Sequence, residues 1–568
     1  MNEGTASLTL LLVVIWPLLL AGTVAFGTTR PVAMRLVPWA ALPALATAVG
    51  LADTGLWLPG AMLGGALVLD GIGRVFLLLS ATLWLVAGLL ARPQLHAAGA
   101  NCFAVLLLLA MAGGFGLALA GDALLFFAAG TLAGYALYGL LVHGADVSTQ
   151  TAGRVLVVLL VLSDLLVFEL LLILGQVAGS VDFMSLRQSL MNADNRELML
   201  GLLIVGFGIK AGVVGVHFWL APVFVNAGMA VRPALISFML GAGLLGWLRL
   251  LPLGEIHWSG AGVVLQWLAW VTLGYAVFAG LLKVHPRAVL AYATIALTGL
   301  WVAILGAALL HPQAWSGMAE AAHAAILQSG FALAALLLLL DRRRAGNIPK
   351  WLHPLPYAVR WLAALQLATA PVVVTGFLAK GDDFAIVQMS WATAAIAFLV
   401  VRGLLLSPPS IHGSRDLRIS SDVVQQPTQT PTVLLAAGGL TGAGILTAAY
   451  NMVGLTPSEF WQPALMMLAA SLAAWLSVKQ SVPHLPDLPL LVPISRGLAA
   501  ALCHGRRLAD RRLPLWRDAG LALVRRLWSR VDWRRIIGQF ESRLNHWPTT
   551  LVILAALGLI MAALGASG

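Results

Sequence analysis

The sequence predicts an all-α polytopic membrane protein, and three observations predict it. Of 568 residues, 60% are hydrophobic and only 10% are charged, whereas soluble domains carry about a quarter charged residues. Apolar runs of about 20 residues recur along the chain, each long enough to cross a hydrocarbon core of about 30 Å as a helix. These runs are continuous, while a β-barrel would alternate polar and apolar residues in segments of about ten.

In chain order the predicted spans are 7–26, 36–52, 71–91, 102–120, 122–141, 155–175, 197–218, 227–250, 263–282, 288–310, 318–340, 358–378, 384–407, 432–455, 462–480 and 548–566. The count expected is therefore 14 to 16. The first span is read as a retained helix rather than a secretory signal, because Met1-Asn-Glu-Gly-Thr5 carries no basic residue and the apolar run is long. In the eighth span, Arg232 and Arg249 lie near the helix ends and are expected to snorkel to the interface.

The excess of 34 Lys+Arg over 23 Asp+Glu does not call for a nucleic-acid partner. Arg30 and Arg35, Arg92, Arg154, the Lys283/Arg287 pair, Arg342 to Arg344, and the Arg415/Arg418 pair all follow odd-numbered spans. The positive-inside rule makes those loops cytoplasmic and puts both termini on the other side of a bacterial-type inner membrane. Two cysteines, Cys102 and Cys503, cannot build a four-cysteine cluster or structural zinc site, so no cofactor or metal is expected.

Five segments follow: N-terminal spans over 1–120, a core over 121–410, C-terminal spans over 411–484, a basic lateral segment over 485–547, and a closing span over 548–568. The lateral segment opens on Pro483, Pro486, Pro489 and Pro493, then alternates arginines with Leu521, Val524, Leu527, Trp528 and Val531 at helical spacing. One face is apolar and the other is arginine-rich, as in a helix that lies on a membrane surface or clamps a partner subunit.

The residues that carry chemistry are charges inside apolar runs. Lys210 sits in Gly206-Phe-Gly-Ile-Lys210-Ala-Gly-Val-Val-Gly-Val-His217-Phe-Trp219-Leu220. An ammonium at bilayer depth costs roughly 2.5–3.5 kcal/mol on insertion scales, so it marks a functional site. Lys380 sits in Thr375-Gly-Phe-Leu-Ala-Lys380-Gly-Asp-Asp383 after Pro371. A broken helix is expected near Lys210, and the glycines and proline around Lys380 predict a second one whose freed carbonyls could hold water or a cation. Charged, interrupted helices in two halves of a chain point to a central ion site.

These segments resemble the antiporter-like proton-pumping subunits of respiratory complex I and their relatives in Mrp antiporters, membrane-bound hydrogenases and bicarbonate-uptake complexes. The likeness also includes Leu69-Asp70-Gly71-Ile72, Asp122-Ala-Leu-Leu-Phe-Phe127 and Leu290-Ala-Tyr-Ala-Thr-Ile295. By that resemblance Lys210 is the central lysine, Lys380 the terminal one near the exit, and His217 and His323 members of a polar relay. The family pairs its central lysine with a glutamate. At an effective dielectric of about 20, an opposite charge near 4 Å is worth roughly 4 kcal/mol, enough to hold a proton on the lysine until the acid withdraws.

The chain departs from that pattern at several places. The expected glutamate is Thr131, the lysine expected in the eighth span falls near Gly241, and the lysine expected four residues after His323 is Leu327, with Gln328 adjacent. Asp164 and Glu169 in the sixth span are the candidate replacements for the acid. Five residues apart on a helix is about 140° of rotation, so the two should not face one spot.

Three readings remain open. The first is an ion-translocating subunit, for protons or for sodium against protons, within a hetero-oligomeric complex of other membrane subunits and a soluble cytoplasmic partner. The second is a non-conducting scaffold of the same fold, favoured by Thr131 and Gly241. The third is the energy-coupling subunit of an inorganic-carbon uptake complex.

Overall fold

In the computed structural model, residues 3–58, 65–340, 355–378, 383–406, 430–452 and 469–474 are described. The chain opens with α1 (Glu3–Ala25), α2 (Arg30–Leu36) and α3 (Leu42–Gly50), then forms a hairpin of β1 (Thr54–Leu58) and β2 (Gly65–Leu69). There follow α4 (Gly71–Leu90), α5 (Ala100–Leu119), α6 (Ala123–Val142), α7 (Val147–Ala178), the short α8 (Phe183–Asn192), α9 (Arg196–Ala211) and α10 (Leu220–Asn226). A single continuous rod is built from α11 (Val231–Phe238), a π-helical turn over Met239–Leu244 and α12 (Leu245–Leu250). The remaining helices are α13 (Ser259–Leu282), α14 (Pro286–Leu310), α15 (Trp315–Leu339), α16 (Leu355–Leu378), α17 (Asp383–Leu405) and α18 (Thr430–Met452).

Among the described residues, ten helices are long and apolar enough to cross a membrane, and the protein is all-α and polytopic apart from the small hairpin. The predicted spans over 462–480 and 548–566, the lateral segment and Lys380 lie wholly or mostly outside the described residues. The hairpin was not foreseen. Its strands pair antiparallel with Thr54 opposite Leu69, and Ala66 N–H donates to Asp122 Oδ2 at 2.8 Å. The other Asp122 oxygen caps α6 through Leu125 N–H at 2.8 Å, so one carboxylate ties the hairpin to the start of the helix that carries Thr131.

Burial divides the helices into a centre and a rim. The most apolar windows of α14 and of the α11–α12 rod are 94% buried, against 39% for α7 and 44% for α13. A helix that is apolar all round but half exposed faces lipid or a neighbouring subunit, whereas one covered on every side forms the packed centre. Of the polar groups discussed below, Thr131 and Asp164 lie on the rim helices α6 and α7.

The arginines have structural duties the sequence reading missed. Arg232 is 3% exposed and does not snorkel: its guanidinium donates to Ala227 O at 3.0 Å and to Leu337 O at 3.1 Å. Arg287 donates to Val225 O, Arg360 to Leu339 O, and Arg402 to Leu281 O at 2.7 Å. Each therefore meets a carbonyl at or near the C-terminus of another helix, where the backbone has no internal donor and the helix dipole favours a cation.

At the other end of the rod, Arg249 forms a bidentate pair with Asp70, at 2.5 Å from Nη1 to Oδ2 and 2.8 Å from Nη2 to Oδ1. Asp70 also caps α4 by accepting from Gly73 N–H at 2.8 Å. Burial alone would push this carboxyl up, but the bond to Arg249, the Arg249 charge and the Gly73 amide outweigh it and hold it below its ordinary value of 3.8. A depressed native value means that the pair's stabilisation is complete above the unfolded value and disappears as pH falls through the native one. Thermal unfolding in detergent should show no Asp70-dependent change between about pH 7 and 5 and a loss below about pH 4, and Asp70→Asn should remove that acid limb.

Candidate functional site

α9 stops at Ala211, inside the packed bundle, for a local reason. Gly212 adopts φ +80° and Gly215 φ +91°, conformations that only glycine takes without strain. Gly212 N–H and Val213 N–H both return to Gly208 O, at 2.8 and 2.9 Å. The carbonyls left over at the helix end are met by side chains from elsewhere: Trp219 Nε1 donates to Ile209 O at 2.8 Å and Thr298 Oγ1 to Ala211 O at 2.9 Å. The break is thus fully hydrogen-bonded at these positions, as backbone at bilayer depth must be.

Lys210 lies in the last turn of α9, 3% exposed. Its Nζ is 2.8 Å from Asp164 Oδ1, with the two side chains 4% and 10% exposed. Oδ1 has no directed hydrogen bond, so this contact is a close ion pair rather than an aligned bond. Oδ2 faces the neighbouring helix and accepts from Thr131 Oγ1 at 3.4 Å. Ser163, the residue before Asp164, donates to Gly206 O at 2.7 Å and sets the register of α7 against α9 that brings acid and base together.

Thr131, which stands where the resemblance called for a glutamate, is therefore in direct contact with the acid that α7 supplies. Tyr135, one turn further on α6, also lies beside Asp164. Both hydroxyl-bearing residues line an otherwise apolar open groove of about 770 Å³ between α5, α6 and α7. Glu169 is exposed on the opposite side of α7, as the 140° rotation requires.

His217 sits just past the break, 3% exposed. Its Nε2 is 3.1 Å from the Tyr275 hydroxyl, and its ring stacks obliquely on Tyr275 at 4.8 Å and meets Tyr292 edge-on at 6.5 Å. Lys283 Nζ lies 5.5 Å over the Tyr292 ring. A cavity of about 230 Å³ opens beside His217, Asn226, Lys283 and Tyr292. Tyr292 belongs to the Leu290–Ile295 segment that carries the resemblance, whereas Tyr275 has no sequence signal of its own, because an isolated Tyr in an apolar span reads as packing.

His323 on α15 is half-buried, within electrostatic reach of Asp70 and Glu320. Its Nε2 has no hydrogen-bond partner among the described residues. It is separate from the Lys210–Asp164 pair, and a small cavity lined by Ala211, Thr298 and Trp301 lies between α9 and α14. Nothing places Lys380, which lies outside the described residues.

The family profile described as NADH:quinone oxidoreductase/Mrp antiporter, TM, matches residues 120–407. NADH-ubiquinone oxidoreductase chain 5 of Neurospora crassa is 28% identical over 225 residues, which is 38% of this chain and 30% of that one. NADH-quinone oxidoreductase subunit N 1 of Streptomyces griseus subsp. griseus is 30% identical over 270 residues, 45% of this chain and 56% of that one. The alignments thus span under a third of the Neurospora protein's length and just over half of the Streptomyces protein's. A chain in a structure of the Mrp complex from Dietzia sp. matches 98% of this chain and 63% of its own length, with a TM-score of 0.65. At 16% identity that likeness is one of fold.

Proposed function

This chain belongs to the NADH:quinone oxidoreductase/Mrp antiporter family of membrane proteins, and from that premise we propose that it is an ion-translocating subunit of a multi-subunit membrane complex. It moves protons, or sodium against protons, and the pair Lys210–Asp164 is its switch. The observation that carries this reading is the 2.8 Å contact between two buried, oppositely charged side chains at the break of α9.

While Asp164 stays close, its charge holds the proton on Lys210. When the carboxylate turns toward Thr131 and Tyr135, which offer hydroxyl donors, the desolvated ammonium loses its counter-charge and releases the proton. His217, which meets Tyr275, and His323 on α15 are the relay toward the exit. Lys380 continues the route, and Glu169, facing outward, meets a neighbouring subunit. The Lys- and Arg-bearing loops after the odd-numbered spans face the cytoplasm, and the driving chemistry comes from partners, membrane subunits and a soluble one.

Substituting Lys210→Ala should reduce ion-coupled transport in membrane vesicles to background while the complex still assembles. Unchanged transport with intact assembly would leave the scaffold reading in its place.

A further inference from the structure

Two donors bracket Lys210. The backbone bonds that close α9 return to Gly208 O, so the carbonyls of Ile209 and Ala211 need donors from outside the helix. Trp219 Nε1 serves Ile209 O at 2.8 Å from 10 residues away, and Thr298 Oγ1 serves Ala211 O at 2.9 Å from 87 residues away on α14. The first bond belongs to the local turn. The second is tertiary, and it comes from a side chain that is 3% exposed in one of the most buried helices.

The Thr298 hydroxyl has one hydrogen and two acceptors in reach. Besides Ala211 O it lies 3.1 Å from Thr294 O on its own helix. Thr294 O already accepts from the Thr298 amide in the α-helical ladder and loses little without the hydroxyl. Ala211 O gains its donor from Thr298. The cavity that both residues border with Leu240, Trp247 and Trp301 measures about 10 Å³, space for about one water. Ala211 also abuts Gly243 of the rod, where a Cβ would fall 2.6 Å from the Ala211 nitrogen. The end of α9 is thus held between the rod and α14. A buried carbonyl without a donor costs free energy, so loss of the hydroxyl should shift this end rather than leave it in place.

We propose that Thr298 is a positioning residue for translocation: its bond to Ala211 O fixes the end of α9 and thereby keeps Lys210 Nζ in contact with Asp164. The inference rests on the ion-translocating reading above. Thr298 acts through the backbone of the residue next to Lys210 rather than on either charge. Among the described residues, Asp164 of α7 is the charge that faces Lys210, with Tyr135 of α6 beside the acid. Arg187 of α8 is engaged by Glu255 at 3.2 Å and Arg249 of α12 by Asp70, while the π-helical turn and residues 293–310 of α14 carry no ionisable side chain. A nearby opposite charge favours the charged form, so a looser contact makes Lys210 give up its proton more readily. At an effective dielectric of about 20, lengthening the 2.8 Å contact by about 1 Å is worth about one pH unit.

The test uses the whole complex in membrane vesicles, with transport normalised to assembled complex and measured across pH. Thr298→Val removes the hydroxyl and keeps the branched shape, whereas Thr298→Ser keeps the hydroxyl. Thr298→Val should lower flux about tenfold, the equivalent of one lost hydrogen bond in the barrier. It should also move the alkaline limb of the transport profile about one unit toward lower pH. Thr298→Ser should restore both. Should Thr298→Val not assemble, Thr298→Ala, which also lacks the hydroxyl and adds no bulk, gives the same reading. Wild-type flux and profile without the hydroxyl, a lower flux with an unmoved profile, or a Thr298→Ser variant as impaired as Thr298→Val would each overturn the proposal. Lys210→Ala separates the two levels: if it transports, the translocation reading falls; if it is inactive while Thr298→Val behaves as wild type, only the positioning role falls.

Discussion

Asp164→Asn is expected to abolish ion-coupled transport, and adding Thr131→Glu to that variant is expected to bring it back. Removing one member of a buried ion pair leaves the other charge without compensation, at a cost of about 3–5 kcal/mol. Lys210, 3% exposed, would be the charge left without compensation, and a pair that has lost its acid cannot alternate between two states. On a barrier scale the same energy is about two to four orders of magnitude in rate.

The rescue follows from where α6 lies. Thr131 Oγ1 is 3.4 Å from Asp164 Oδ2, and a Cβ built on the adjacent Gly130 would stand 3.9 Å from Lys210 Nζ. A glutamate at position 131 therefore has the reach to meet the ammonium from α6 instead of from α7. Proton uptake into vesicles, normalised to assembled complex, reads both results. Full transport by Asp164→Asn would remove the acid from the switch, and an inactive but well-assembled double variant would show that the carboxylate must come from α7.

The second large effect is expected from Gly243→Val. Gly243 lies in the π-helical turn of the central rod, and a Cβ there would fall 2.6 Å from Ala211 N and 2.8 Å from Ala211 Cα and Cβ. Backbone cannot yield as a flexible side chain would, so the rod and the broken end of α9 must part. Overpacking of this kind costs about 1–3 kcal/mol. Ala211 adjoins Lys210, and a displacement of about 1 Å at a reacting group can lower a rate about a hundredfold.

Gly241→Ala is the comparison, because a Cβ at Gly241 would meet only Leu117 Cδ1, at 3.9 Å. Thermal stability in detergent and transport should both fall in Gly243→Val and stay near wild type in Gly241→Ala. Equal behaviour of the two variants would mean that the close approach of Gly243 to Ala211 does not position the lysine. Where the resemblance calls for a lysine near Gly241 the rod has a π-helical turn that packs directly on Ala211, the residue after Lys210.

The spans were legible because crossing a membrane is a one-dimensional requirement of length and apolarity. The predicted 71–91, 122–141 and 288–310 became Gly71–Leu90, Ala123–Val142 and Pro286–Leu310. The break after Lys210 was legible too, since Gly212 and Gly215 supply the left-handed residues that end α9. The seventh span nevertheless ran too long as predicted, to 218 rather than Ala211, because hydropathy continues through a turn whose hydrogen bonds come from Trp219 and Thr298.

Arg232 and Arg249 were misread for a related reason. Position near a helix end suggests snorkelling, but their partners, Leu337 O and Asp70, are 105 and 179 residues away in sequence. The bond from Gln366 Nε2 to Thr441 O was invisible in the same sense: both residues are ordinary polar interruptions until α16 and α18 pack together.

The sequence by itself determined that this is an all-α membrane protein of the antiporter family, that Lys210 is buried at a broken helix, and that Asp164 and Glu169 cannot serve one site. Only the tertiary structure decided that Asp164 faces Lys210 and that Thr131 supports the acid rather than replacing it. Helical periodicity fixes the angle between two residues on one helix, whereas a contact between helices depends on their rotation and register. Here the Ser163–Gly206 bond between α7 and α9 sets both.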